Sequence, residues 1–185
     1  MELTRTFDVL ENLLKICPHK TNLLNAKEGG DWVKYSVNDF ITYANQVSYG
    51  LMALGLRKGD RIATISNNRP EWNFIDSGMA QAGIIHVPIY PTISSEDYTY
   101  ILNHAEPSLI FVSDKVLYEK IRPIAEKIPS VKTIYSFNTL TNVKNWKEIA
   151  ALGRENENLF SAKLEELKKE ITPDDIVTII YTSGT

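Results

Sequence analysis

Gly59-Asp60-Arg61-Ile62-Ala63-Thr64-Ile65-Ser66-Asn67-Asn68-Arg69-Pro70-Glu71-Trp72 is the stretch on which the fold turns. Arg61 to Ser66 is a short, mostly apolar run of strand length. Pro70 stands where the first turn of a helix tolerates a missing N–H, and that helix is expected to reach about Ala82. The pattern then repeats. Ile84 to Ile89 reads as a strand that Pro88 confines to a sheet edge or a strand end. Ser94 with Asp97 makes a capping-box start for a helix to about His104. Leu109 to Val112 is a strand, Lys115 to Ile128 a helix, and Val131 to Phe137 a further strand. This alternation predicts an α/β fold, a largely parallel sheet with helices on both faces.

Upstream, Phe7, Leu10, Leu14 and Cys17 are spaced for one face of a helix over 5–17. Thr21 to Ala26 and Trp32 to Tyr35 flank Glu28-Gly29-Gly30-Asp31, a hairpin turn. Val37, Phe40, Ile41, Ala44, Val47, Leu51 and Leu54 fall on a 3.6-residue period, with Ser36 to cap the helix and Gly55 to end it. That helix is expected to lay its stripe on the sheet. Downstream, Trp146 to Leu152 and Ala162 to Glu170 read as helices. The charges between Lys163 and Glu170 form a solvated face. Thr172-Pro173-Asp174-Asp175 breaks the last helix, and Ile176 to Tyr181 is expected to form a final strand.

Composition narrows the function. The 185 residues are 43% hydrophobic and carry 20 Lys and Arg against 23 Asp and Glu, a formal charge of −3. No basic stripe for a nucleic-acid backbone stands out. Cys17 is the single cysteine, which excludes an intramolecular disulfide and a cysteine-based metal cluster. A reducing, cytoplasmic setting fits best, and the amino terminus has no signal-peptide core. No window approaches a membrane span, which leaves peripheral contact with a bilayer open.

The last strand leads directly into Thr182-Ser183-Gly184-Thr185. Hydroxyl residues and a glycine just past a parallel strand suit a phosphate-holding loop. Glycine lets the backbone approach the anion, exposed N–H groups point at phosphate oxygens, and the hydroxyls add donors. On its own the string is weak evidence and better fits an ordinary turn or a domain linker.

The longer run Thr172-Pro173-Asp174-Asp175-Ile176-Val177-Thr178-Ile179-Ile180-Tyr181-Thr182-Ser183-Gly184-Thr185 closely resembles the approach to the phosphate loop of the AMP-forming acyl-CoA synthetases. Asn67-Asn68-Arg69-Pro70-Glu71-Trp72, Gln81-Ala82-Gly83 and Val87-Pro88-Ile89-Tyr90-Pro91-Thr92 agree, and they look most like the long-chain fatty acid–CoA ligases. Lys34-Tyr35-Ser36 is similar to the family's opening. The resemblance spans most of residues 5–185.

It implies that residues 1–185 are the N-terminal part of the large domain of such a ligase. The parent would activate a fatty acid with ATP and Mg²⁺ to acyl-AMP and pass the acyl group to coenzyme A. Thr182, Ser183, Gly184 and Thr185 carry over as nucleotide-binding positions. No catalytic residue and no metal ligand falls inside the chain. The piece alone is expected to be inactive, to hold no cofactor and to self-associate through an open sheet edge. Alternatives within the superfamily are a medium-chain ligase, a fatty acyl-AMP ligase or a peptide-synthetase adenylation domain. The alternative from another class is a stand-alone α/β binding module without catalysis.

Other residues receive plainer readings. His19, His86 and His104 lack metal-ligand spacing, and His86 in an apolar run suits an interior histidine. Asp174-Asp175 suits a polar turn. Trp72 and Phe74 suit helix-to-sheet packing, and Arg69 a helix start or surface role. Cys17 suits a buried apolar thiol.

Overall fold

The computed structural model describes residues 3–182. It opens with α1 (Asp8–Ile16) and a hairpin of β1 (Leu24–Glu28) and β2 (Asp31–Tyr35), paired antiparallel with Glu28 opposite Asp31. The two-residue turn needs left-handed backbone, and Gly29 (φ 58°) and Gly30 (φ 101°) supply it without a Cβ penalty. Then follow α2 (Val37–Ala53), β3 (Arg61–Ile65), α3 (Pro70–Gln81), β4 (Ile85–Ile89), α4 (Ser95–Ala105), β5 (Leu109–Val112), α5 (Lys115–Ala125), β6 (Thr133–Ser136), β7 (Lys144–Asn145), α6 (Trp146–Glu155) and α7 (Glu157–Glu170).

Strands β3 to β7 form one all-parallel sheet in the order β4-β3-β5-β6-β7. The order reverses beside β3, as in a doubly wound sheet. Alternation along the strands splits the core in two. Ile62, Phe111 and Tyr135 point to the face covered by α3, with α2, α6 and α7 beyond it. Ala63, Ile65, Val87, Ile110 and Val112 point to the face covered by α4 and α5. The expected α/β architecture with helices on both faces is the one found. No helix among the described residues is long and apolar enough to cross a membrane.

Sequence signals set the helix starts. Ser36, Ser94 and Asn145 each accept an N–H of the first turn, while Asp39, Asp97 and Glu148 reach back to the cap N–H. Helix α5 ends at Ala125 rather than Ile128, because Pro129 disfavours helical backbone at the residue before it. Helix α7 starts five residues earlier than its apolar period suggests, directly after α6.

Two expectations are corrected. Helix α2 lies chiefly against α3 and α6 rather than on the sheet. A Cβ on Gly153 would sit 1.8 Å from the Gln46 carbonyl oxygen, and one on Gly50 would sit 2.1 Å from that of Ile149. Two glycines therefore let the α2 and α6 backbones touch, which widens the buried surface of α2 beyond one stripe. In α1 it is Leu10 and Leu13 that reach the core, while Leu14 is exposed.

Candidate functional site

The approach to the candidate loop begins at a polar turn. Asp175 Oδ2 accepts from the Thr172 N–H at 2.7 Å and from the hydroxyl at 3.1 Å, and it takes an ion pair from Lys58 Nζ at 2.8 Å. The Lys58 ammonium and the Thr172 donors hold the Asp175 carboxyl below the usual range. Lys58 also bonds the Glu170 carbonyl, closing the end of α7. Asp174-Asp175 is thus the turn expected. Among the described residues no three His, Cys, Asp or Glu side chains gather as a metal site.

The next residues are extended and attach to the outer edge of β4. The His86 N–H donates to the Val177 carbonyl at 3.0 Å, and the Ile179 N–H donates to the His86 carbonyl at 2.9 Å. This is a single parallel bridge between His86 and Thr178, not the regular strand expected over 176–181. The reason is chemical. The next bond along this edge would need an N–H from residue 88, and Pro88 has none. Pro88 therefore marks the edge as expected, and it also shortens the ladder beyond it.

Side chains fix the segment's two faces. Val177 packs beside Phe7, Ala80 and Ile171, while Ile179 and Tyr181 pack against the α4–α5 core. Tyr181 Oη lies 2.6 Å from His104 Nδ1, and Tyr100 stacks on that imidazole. Burial pushes the Tyr181 phenol pKa up. Ile176 and Ile180 face away from the core and are 64% and 63% exposed. Thr182, exposed, is the last described residue. Ser183, Gly184 and Thr185 lie outside the described residues.

Beneath this bridge the His86 side chain is 2% exposed. Its Nδ1 lies 2.7 Å from Asp76 Oδ1 and its Nε2 lies 2.7 Å from Thr64 Oγ1. Trp72 Nε1–H donates to the same Thr64 oxygen at 3.0 Å. The carboxylate can only accept and the indole can only donate, so in the neutral ring Nδ1 carries the proton. Donation then runs Trp72 to Thr64 to His86 to Asp76. His86 is the satisfied interior histidine expected. The four-residue chain was missed, although the four-residue spacing of Trp72 and Asp76 on α3 is its visible trace.

The remaining candidates are structural. Arg69 is the N-cap of α3, bidentate to Glu71 at 2.8 and 2.9 Å. Its other donors reach the Ser113 carbonyl and Asn138 Oδ1, and its guanidinium lies over the Phe137 ring. Phe74 is fully buried between α2 and the sheet. Cys17 is half-buried, with its thiol on the Leu13 carbonyl. His19 is exposed.

A family model described as "AMP-binding enzyme" matches residues 12–185. The long-chain-fatty-acid–CoA ligase ACSBG2 of Xenopus laevis is 28% identical over 167 residues, covering 88% of this chain and 22% of that protein. Fatty acyl-CoA synthetase A of Dictyostelium discoideum is 31% identical over 172 residues, covering 88% and 25%. The chain thus spans about a quarter of the length of these curated relatives. Among solved structures, a long-chain-fatty-acid–CoA ligase from Archaeoglobus fulgidus superposes with a TM-score of 0.77 at 21% identity, over 97% of this chain and 34% of that one. An anthranilate CoA ligase in complex with anthranoyl-AMP gives 0.75 at 19% identity, over 97% and 32%. At that identity the likeness is one of fold.

Proposed function

Because the chain belongs to the AMP-binding enzyme family, we propose that residues 1–185 are the amino-terminal portion of the large domain of a long-chain fatty acid–CoA ligase. One observation carries the nucleotide part of this reading. The bridge to His86 runs residues 177–179 parallel to β4, so Thr182 emerges on the side where the other strands have their C-terminal ends. Open α/β sheets bind ligands outside those ends. An exposed hydroxyl at that place fits a phosphate group, and Ser183, Gly184 and Thr185 would extend it with further donors and bare backbone.

ATP, with Mg²⁺, would supply an adenylyl group to the fatty-acid carboxylate with release of pyrophosphate, and the thiol of coenzyme A would then take the acyl chain with AMP as the leaving group. This chain's own residues would hold the phosphates against the sheet. Two backbone bonds to His86 attach the segment to β4, and the Tyr181–His104 contact holds its extended end just before the loop. The long-chain choice is supported by the names of the relatives and by the run Val87 to Thr92. Without the rest of the parent, the 185-residue chain is proposed to have no ligase activity and to bind Mg-ATP weakly.

The test is carboxylate-dependent pyrophosphate release by the protein translated from the whole reading frame, with acids of graded chain length. Long saturated or monounsaturated acids should give the highest kcat/KM. A preference for acetate, aryl acids or amino acids would overturn the substrate class. No release with any acid would favour a non-catalytic module.

A further inference from the structure

Among the described residues, one residue of β4 makes both backbone bonds to the segment 177–179. The His86 N–H donates to Val177 and the His86 carbonyl accepts from Ile179. Pro88 offers no further donor, so no neighbouring ladder bond reinforces this pair. An isolated pair of edge bonds opens locally, without the rest of the sheet unfolding. How often it opens depends on how firmly residue 86 itself is held.

The imidazole is clamped at both nitrogens. Nδ1–H donates to Asp76 on α3, and Nε2 accepts from the Thr64 hydroxyl on β3, each at 2.7 Å. The Trp72 N–H occupies an acceptor position of the same hydroxyl, which directs the hydroxyl proton to His86. The Trp72 ring lies 5.0 Å from the imidazole. Edge strand, inner strand and helix are thus cross-linked through one side chain, in the register that sets His86 opposite Ile62. Thr64 and His86 are buried, so losing a partner leaves an unpaired polar atom inside. Asp76 is 39% exposed, and trimming it opens no hole in the core.

We infer that Asp76 and Thr64 are positioning residues for the candidate phosphate loop. By clamping the His86 ring they steady the two backbone bonds that hold residues 177–179, and so they set where Thr182 and the residues after it stand. Each acts through His86 and not on a ligand. The inference rests on the reading that residues 182–185 hold phosphate, and its test separates the failure of one from the failure of the other.

Amide hydrogen exchange is followed in the 185-residue chain, with thermal melts to check that each variant is folded. Asp76→Ala and Thr64→Val should each speed exchange of the His86 and Ile179 amides about tenfold, the ratio expected from a lost charged or buried hydrogen bond. Asp76→Asn keeps an oxygen that accepts from Nδ1–H, and Thr64→Ser keeps the hydroxyl, so both should restore slow exchange. Ile75→Val, a fully buried change on the same helix, should lower the melting temperature without speeding these two amides. In the protein translated from the whole reading frame, Asp76→Ala should raise KM for ATP about threefold, because fewer chains hold the loop in place. There kcat and KM for the acid should stay nearly constant, and Asp76→Asn should behave as wild type. Unchanged exchange in both Asp76→Ala and Thr64→Val overturns the inference, as does equal acceleration in Ile75→Val. If exchange responds but KM for ATP does not, the positioning role falls and the ligase reading stands. If the wild type releases no pyrophosphate with any acid, the ligase reading falls, and the exchange rates decide whether the clamp holds the segment.

Discussion

Ile179 donates its N–H to His86 but receives nothing from Pro88, which stands two residues further along β4 and has no N–H to give. The edge is thus closed over one bridge and open beyond it. Replacing Pro88 by alanine supplies the donor. A net hydrogen bond of about 1 kcal/mol is offset by the ~0.4–1 kcal/mol lost when an unfolded chain regains proline's freedom. Pro88→Ala should therefore leave the unfolding free energy nearly unchanged, while the new amide at 88 exchanges slowly with solvent. A fast-exchanging amide at 88 would show that the ladder does not extend.

Contact between α2 and α6 gives a sharper outcome. A methyl group on Gly153 would meet backbone atoms of Gln46 and Gly50 within 3 Å, and backbone cannot swing aside as a side chain can. Gly153→Ala should destabilise by at least the ~1–3 kcal/mol typical of overpacking. Chemical denaturation measures it, and an unchanged midpoint would contradict the close approach.

Asp8 is a buried carboxylate held by Arg5. The Arg5 guanidinium lies 2.7 Å from Oδ1, and the N–H groups of Thr4 and Arg5 reach Oδ2. The Arg5 hydrogen bond depresses its pKa below the ordinary 3.8, against the effect of burial. A depressed folded pKa means stability that is fully present above 3.8 and lost as pH falls through the folded value. Asp8→Asn should be less stable than wild type near neutral pH, and the gap should narrow only below pH 3.8. A gap independent of pH would assign the effect to packing.

Ile176 and Ile180 expose apolar side chains beside an unpaired outer edge, an arrangement that invites a second chain. The 185-residue chain is expected to self-associate, and Ile180→Lys to return it to monomer in sedimentation. A wild-type monomer at high concentration would refute this.

In the proposed full-length ligase, Gly184→Val should lower kcat/KM for ATP on the order of 100-fold by blocking backbone approach to phosphate, with binding of the proposed fatty-acid substrate little changed. Equal kcat/KM for ATP in the two proteins would remove the loop from the site.

The sheet was legible because its strands and helices alternate with their own punctuation. Ser36, Ser94 and Pro70 announce helix starts, and Pro88 announces an edge. What escaped depends on partners distant in sequence. Residues 176–181 read as a strand from their own Ile and Val content, but the pairing is decided by a proline ninety residues away. The packing of α2 turns on Gly153, which periodicity within α2 does not reveal. The Trp72–Thr64–His86–Asp76 chain needs a helix and two strands to be docked before its donors line up. Strand β7 is two residues long and has no period to read. Of the candidate loop only Thr182 has a described position, so its remaining residues rest on sequence.

Arg5 bonds the carbonyl of Lys168, and the Lys168 ammonium returns to Glu11 at 2.7 Å. A clasp between residues so far apart in sequence is entropically among the last contacts a folding chain can close. A donor dye near residue 16 and an acceptor near residue 169 would be close only when every intervening βα unit is in place, making this pair of helices a gauge of complete assembly.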